Sequence, residues 1–190
     1  MPAVARPRLF VVSGPSGAGK GTLLSKVRER RPDLGLTVSA TTREPRAGER
    51  DGVSYHFLSP EEFDRRVRAG EFLEWADVHG NRYGTLREEV DRRLAGGQSL
   101  VLEIDVQGAL NVRRSFPEAV LIFIEPPSME ELERRLRARG SEDEASLALR
   151  LADAAGELAR ADEYDVRIVN DDLEDAAGAL ADAIRSFETK

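Results

Sequence analysis

The stretch LFVVSGPSGAGKGT, residues 9 to 22, constrains this chain more than any other. An apolar, strand-like run ends at Ser13, four glycines (Gly14, Gly17, Gly19 and Gly21) fall within eight positions, and Lys20 stands where a helix would begin. Glycines at this density let the chain take φ angles closed to other residues and bring backbone N–H groups against a ligand. A helix starting near Lys20 adds its unpaired N-terminal amides and the positive end of its dipole, a combination that favours a polyphosphate. The spacing G-x-x-x-x-G-K is met by Gly14, Gly19 and Lys20, between a strand and a helix, the context in which this pattern holds phosphate. Pro15, Ser16 and Ala18 complete the loop, and Lys20 is placed to reach the β- and γ-phosphates. One position departs from the pattern: where a Ser or Thr hydroxyl usually meets Mg²⁺ there is Gly21, and the hydroxyl comes one place later, at Thr22. The ion is expected to rest mostly on phosphates and waters, in keeping with its reluctance to dehydrate.

Size and charge narrow the partners. A chain of 190 residues with 41% hydrophobic content can bury one good core with small inserts, and is too short for two full domains. Its 28 basic and 35 acidic residues leave a net charge of -7, the wrong sign for a protein that grips a polynucleotide backbone, so a nucleotide is expected and a nucleic acid is not. The absence of cysteine removes disulfides and thiolate metal sites and suits a reducing compartment. The segment MPAVARPRLF lacks a secretory apolar region, and no run approaches the roughly 20 apolar residues of a membrane span; a cytoplasmic protein with no membrane partner is expected.

Short apolar runs at Leu9 to Ser13, Leu100 to Ile104 and Val120 to Ile124, each followed by a helical period, read as βαβ units. A further run, Val166 to Val169, precedes an Ala-rich helix near residues 173 to 187. Such alternation predicts an α/β fold in which a parallel sheet carries helices on both faces and binds ligands at the carboxyl ends of its strands. Two segments interrupt it. TVSATTREPRAGERDGVSYHF is polar, alternating and turn-rich, and predicts a small antiparallel insert. After Pro127, Ser128 with Glu131 forms a capping-box pattern for a helix from Met129 to the stop at Arg139-Gly140, and Glu142 to about Arg160 reads as another long helix.

The first insert carries Ser39, Arg43, Arg46 and Tyr55, followed by Glu74, Tyr83 and Thr85. Taken singly, an arginine near a turn is usually solvated. Two guanidiniums with two phenols can instead surround a phosphate with directed donors. Glu74 lies in the apolar setting of FLEWADVHGNRYGT, and a buried carboxylate needs donors; guanine offers its N1–H and N2–H₂. Of the two histidines, His56 and His79, neither pairs with a nucleophile or a metal set, and both read as structural.

The segments GPSGAGKGT, VSATTREPRAGERDGVSYHF, EFLEWADVHGNRYGT, LEIDVQGA, IFIEPPS, LRARGS and IVNDDL, in this order over nearly the whole chain, resemble the guanylate kinase family. The resemblance implies a P-loop NTPase sheet flanked by helices (1–36, 88–127 and 161–190), a small mixed α/β GMP-binding insert (37–87) and a helical lid (128–160). It also implies transfer of the γ-phosphoryl group of ATP to GMP, with Mg²⁺. On this resemblance Ser39, Glu74 and Thr85 read guanine, while Arg43, Arg46, Tyr55 and Tyr83 hold the GMP phosphate. Asp105 matches an acidic residue between the nucleotides, with Glu103 as its neighbour on the same strand edge, equally readable as structural. Arg135, Arg139 and Arg150 match lid arginines that close over ATP, and Asn170 a position near adenine. Arg134 and Arg137 fall in a ladder of Glu–Arg pairs four apart and are assigned to the solvated face. Domains similar to guanylate kinase also dock phosphopeptides without catalysis, but these typically lack a working phosphate loop. GAGKGT also resembles the adenylate kinase loop, against which the GMP-side residues speak.

Overall fold

The computed structural model describes residues 6–78, 80–138 and 144–189. In chain order the elements begin with β1 (Leu9–Ser13), α1 (Lys20–Arg30), β2 (Gly35–Leu36), β3 (Ala40–Thr41), β4 (His56–Phe57) and α2 (Pro60–Arg68). They continue with β5 (Phe72–Val78), β6 (Asn81–Leu86), α3 (Arg87–Ala95), β7 (Leu100–Glu103) and α4 (Val106–Ser115). The chain closes with β8 (Val120–Glu125), α5 (Met129–Ala138), α6 (Glu144–Leu158), a 3₁₀ turn (Ala161–Glu163), β9 (Val166–Val169) and α7 (Leu173–Glu188).

The main sheet is parallel throughout, in the order β2-β7-β1-β8-β9. β1 at its centre is buried along its whole length, as a strand covered on both faces must be. Its side chains divide by the two-residue period of a strand. Phe10 and Val12 join Leu23, Leu24 and Val27 of α1 and Ala177, Leu180 and Ile184 of α7. Leu9 and Val11 join Val90 of α3 and Ala109, Leu110 and Val112 of α4 on the other face. β8 repeats the split, with Ile122 and Ile124 on the first face and Leu121 and Phe123 on the second. The alanines of α7 allow close approach to the sheet, and Asp172 starts that helix by accepting from the amides of Glu174 (2.8 Å) and Asp175 (3.0 Å).

A second sheet, in the order β4-β3-β6-β5, holds a core of its own, Ala40, Phe63 and Phe72, with the two rings stacked at 4.5 Å. It departs from the antiparallel expectation at one pairing. β3 and β4 run parallel, Ala40 beside His56 and Thr41 beside Phe57. The turn-rich segment between them is over a dozen residues long, enough to carry the chain back and re-enter in the same direction. α5 and α6 form a third layer around Leu132, Leu136, Leu147 and Ala154. The capping box at the start of α5 is half made: Ser128 Oγ accepts from the Glu131 amide (3.1 Å), while the Glu131 carboxylate accepts from Arg134 and Arg135. Two arginines outbid the one backbone N–H it was expected to reach, because charge-assisted bonds are the stronger. Among the described residues no helix is long and apolar enough to cross a membrane.

Candidate active site

Where β1 ends, the chain turns sharply, and the turn is set by contact. Gly14 has φ +143°, and a Cβ placed there would lie 2.2 Å from the Ile124 carbonyl oxygen of β8. Gly19, φ +85°, leads into α1 with no side-chain cap, so the first amides of the helix face the loop. A Cβ on Gly19 would meet Asn170 Nδ2 at 2.6 Å. Gly21 does not share this role: it is helical, and its open side faces Glu103, whose carboxylate oxygens stand 3.9 Å from where a Cβ would be. The expectation that all four glycines supply special φ angles is corrected to the first three, Gly17 included.

Lys20 Nζ curls into the cup, donating to the carbonyls of Gly14 (2.6 Å) and Pro15 (3.0 Å). Ser16, Gly17, Gly19, Lys20, Gly21, Thr22 and Glu103 together line a cavity of about 310 Å³. Ala18 is fully buried beneath it, and its carbonyl accepts from Asn170 Nδ2 (2.8 Å). Asn170, expected near adenine, therefore spends its amide under the phosphate loop, buttressing it. Two arginines of the third layer reach this region. Arg150 of α6 donates to Ser16 Oγ (3.1 Å), and Arg135 of α5 donates to the Asn170 carbonyl (3.0 Å) and to Glu131 (2.7 Å). Arg139 lies outside the described residues, as does His79. Arg134 and Arg137 stand on the solvated face as expected, but Arg134 bonds Glu131, three residues back, and not a partner four back, while Arg137 bonds Glu133 and Glu144.

On the second sheet, Glu74 of β5 is buried beside Thr85 of β6, whose hydroxyl donates to Glu74 Oε1 at 2.7 Å. Cross-strand pairing of Glu74 with Thr85 fixes this contact. Burial raises the Glu74 pKa above the usual carboxylate value, and the Asp105 charge adds to the rise. Glu74 Oε2 lies 3.5 Å from the position a Gly108 side chain would take, so the small residue in the first turn of α4 leaves room there. Asp105, read as standing between nucleotides, is the cap of α4 and accepts from the Gly108 amide at 2.7 Å. That bond uses one of its carboxylate oxygens and fixes its direction.

Tyr55 and Tyr83 meet edge to face, ring centres 6.0 Å apart, and the Arg43 guanidinium lies 5.4 Å over the Tyr55 ring. Ser39 sits one residue before β3, its carbonyl accepting from the His56 amide (2.9 Å). Arg46 is exposed, its backbone amide bound to Glu49. Glu49 is the participant that sequence reasoning missed. Its two oxygens hold Arg43 Nη2 at 2.8 and 2.9 Å, and one also accepts from the Arg46 amide at 2.7 Å. A signal existed, since Pro45 and Gly48 in REPRAGE make a turn that brings position 49 back towards position 43.

A family model described as guanylate kinase matches residues 6–187. The guanylate kinase of Thermosynechococcus vestitus is 54% identical over 179 residues, covering 94% of both chains. That of Streptomyces coelicolor is 52% identical over 180 residues, 95% of this chain and 91% of its own. A crystal structure of guanylate kinase from Anaplasma phagocytophilum matches with a TM-score of 0.74 at 36% identity, over 98% of this chain and 88% of that one. A match over nearly the full length, with relatives about half identical along it, means that this chain belongs to the guanylate kinase family.

Proposed function

We propose that this chain transfers the γ-phosphoryl group of ATP to GMP, giving ADP and GDP. ATP is held by the loop from Gly14 to Thr22, with Arg135, Arg139 and Arg150 of the lid (128–160) and Asn170 beneath. GMP is held in the insert (37–87): Arg43, Arg46, Tyr55 and Tyr83 on its phosphate, Ser39, Glu74 and Thr85 on its base. The carrying observation is the buried Glu74–Thr85 pair. A carboxylate kept from water, with one oxygen already bonded to a hydroxyl, favours a ligand that brings N–H donors, and guanine carries them where adenine has none in the same place.

Phosphoryl transfer of this kind spreads charge over oxygens in a loose transition state, so positioning and fixed cations do most of the work. The acceptor phosphate has a second pKa of about 6, as phosphate monoesters do, and needs no general base at neutral pH. Lys20 carries its positive charge inside the cup, already oriented by the carbonyls of Gly14 and Pro15. Arg150 is tethered to the loop through Ser16. Closure of insert and lid over both substrates would exclude water from the transfer. The donor set fits Mg²⁺: Thr22 offers a hydroxyl and Glu103 a carboxylate on the same cavity, both hard oxygen ligands, alongside the phosphates themselves. Bound there, Mg²⁺ supplies neutralising charge for the β- and γ-oxygens. Asp105, one oxygen tied to the Gly108 amide, stands between the two nucleotides on this reading. A cytoplasmic setting, with its nucleotide pools, completes the reading.

A coupled assay offering ATP with GMP, AMP, dTMP and UMP in turn tests it. GMP alone should be turned over efficiently; equal turnover of AMP, or none with any acceptor, overturns the proposal.

A further inference from the structure

Glu89 on α3 is a buried carboxylate, 9% exposed, that plays no part in phosphoryl transfer. Its surroundings are specific. Glu89 Oε1 accepts from the Val38 amide (3.2 Å) and from Arg93 Nη1 (3.0 Å), and Oε2 lies 3.2 Å from His56 Nε2. Arg93 in turn donates to the Leu36 carbonyl (2.6 Å) and to Gln98 Oε1 (3.1 Å). Gly35 makes the room: a Cβ there would lie 2.1 Å from Arg93 Nη2.

The placement of these partners is what carries the inference. Residues 37–39 are the link by which the chain leaves the parallel sheet at β2 and enters the small sheet at β3, and α3 follows β6 on the way back. One side chain therefore grips the outgoing link through Val38, the returning helix on which it stands, and the small sheet through His56. Each gripped residue also adjoins a residue assigned to GMP: Val38 precedes Ser39, and Tyr55 precedes His56. The Ser39 carbonyl bonds the His56 amide, so the two arms are themselves joined. A surface helix residue would gain little from such a network. A buried carboxylate carries a high desolvation cost unless several donors meet it, and here three do.

We infer that Glu89 is a positioning residue for the nucleoside monophosphate: it is the post that sets Ser39 and Tyr55 against the sheet bearing the phosphate loop. The inference rests on the reading of the insert as the GMP site. Without the post, the link and β4 lose their common anchor, and the substrate must restore their alignment when it binds. That loss falls on acceptor capture and spares the donor side, because the Lys20 loop shares none of these bonds.

The test compares Glu89→Ala, Glu89→Gln and His56→Phe with the parent chain, measuring KM for GMP, KM for ATP, kcat and melting temperature. Direct GMP titrations without ATP can follow Trp75, the sole tryptophan, which lies on β5 of the small sheet. Glu89→Ala should raise the GMP KM and dissociation constant about tenfold, with ATP KM and kcat at saturating GMP within about twofold. Glu89→Gln keeps an acceptor for Val38 and Arg93 and turns an amide towards His56, which can accept from it as the other ring tautomer, and should recover most of the loss. His56→Phe cuts one arm and should raise the GMP KM about threefold; should Glu89→Ala fail to fold, this variant decides. A drop in melting temperature with both Michaelis constants unchanged, or equal changes for ATP and GMP, overturns the inference. Failure of the parent to phosphorylate GMP would instead overturn the reading on which it rests.

Discussion

The phosphate loop and the arginine-tyrosine region are built from different materials. The loop is main chain: three glycines at positive φ, the carbonyls of Gly14 and Pro15 holding Lys20, and a buried Ala18 pinned by Asn170. The other region is side chain, with Arg43 held by Glu49 and stacked over Tyr55 along a turn whose residues are largely exposed. A site made of backbone tolerates almost no change at its turns, because every donor depends on one path of the chain. A site made of side chains can lose a member and weaken by degrees. Gly14→Ala puts that contrast to its hardest test. The new methyl group would meet the Ile124 carbonyl at 2.2 Å and force a φ of +143° on alanine. Backbone strain and overpacking each cost about 1–3 kcal/mol. The melting temperature should fall by on the order of 10 °C and activity should vanish; a stable, active Gly14→Ala protein would mean that the loop is not fixed by β8.

Lys20→Ala leaves that path intact and removes only the charge inside it. Turnover should fall at least about 100- to 1,000-fold, the scale seen when one oriented stabilising donor is lost, while GMP affinity stays near the parental value. Single-turnover rates beside equilibrium GMP binding check the separation. Similar rates in mutant and parent would show that the ammonium is only a structural tie between Gly14 and Pro15.

Glu74 sits between the two kinds of construction, a site made of a side chain that is itself buried. Glu74→Ala should narrow the preference for GMP over AMP by about 100-fold or more, chiefly through loss of GMP turnover, as kcat/KM for the two acceptors would show. If the parental margin survives, guanine is read elsewhere. The raised pKa of Glu74 has a signed consequence as well. The folded chain holds this proton more tightly than the unfolded one, so the stability it contributes is fullest below the ordinary carboxylate pKa and is lost as pH rises through the raised value. On the proposed reading of Glu74 as the guanine-binding carboxylate, GMP acts in the opposite sense, since its donors favour the carboxylate, and its affinity should climb over the same interval. Denaturation curves across that range, with and without GMP, should diverge as pH rises; Glu74→Gln should flatten both trends.

The same contrast explains what could be seen in advance. The parallel sheet and the cup were legible because their signals are local: continuous apolar runs such as VLIFIE, and glycines spaced around Lys20. Even there Gly21 departs from the expected φ pattern: it is helical, and its neighbour Glu103 arrives from β7, far along the chain. The parallel pairing of β3 with β4 depends on how a long loop returns, which no two-residue strand announces. The bond from the Asn170 amide to the Ala18 carbonyl joins residues 152 positions apart, and no local pattern announces it. Glu49 and Glu89 were passed over for a shared reason. Acidic residues are common along this chain, and only three-dimensional convergence distinguishes a carboxylate that gathers several donors from one that faces water.

The mildest effects belong to the arginine-tyrosine region. Arg43→Ala should raise the GMP KM about tenfold and leave that of ATP unchanged, the loss expected when a phosphate forfeits a directed guanidinium. Glu49→Gln removes the carboxylate charge but keeps an acceptor for the Arg46 amide, and Arg43 retains the Glu44 carbonyl at 2.7 Å and the Tyr55 ring. A partly exposed ion pair contributes little by itself. The GMP KM should therefore rise only about threefold, as a guanidinium less firmly aimed pays a small ordering cost on binding. The direction is the informative part. A fall in KM would show that Glu49 competes with the GMP phosphate for Arg43, in which case the ion pair is a latch the substrate must open. A rise shows that Glu49 aims Arg43, and makes this region as preorganised as the loop, by side chains in place of backbone.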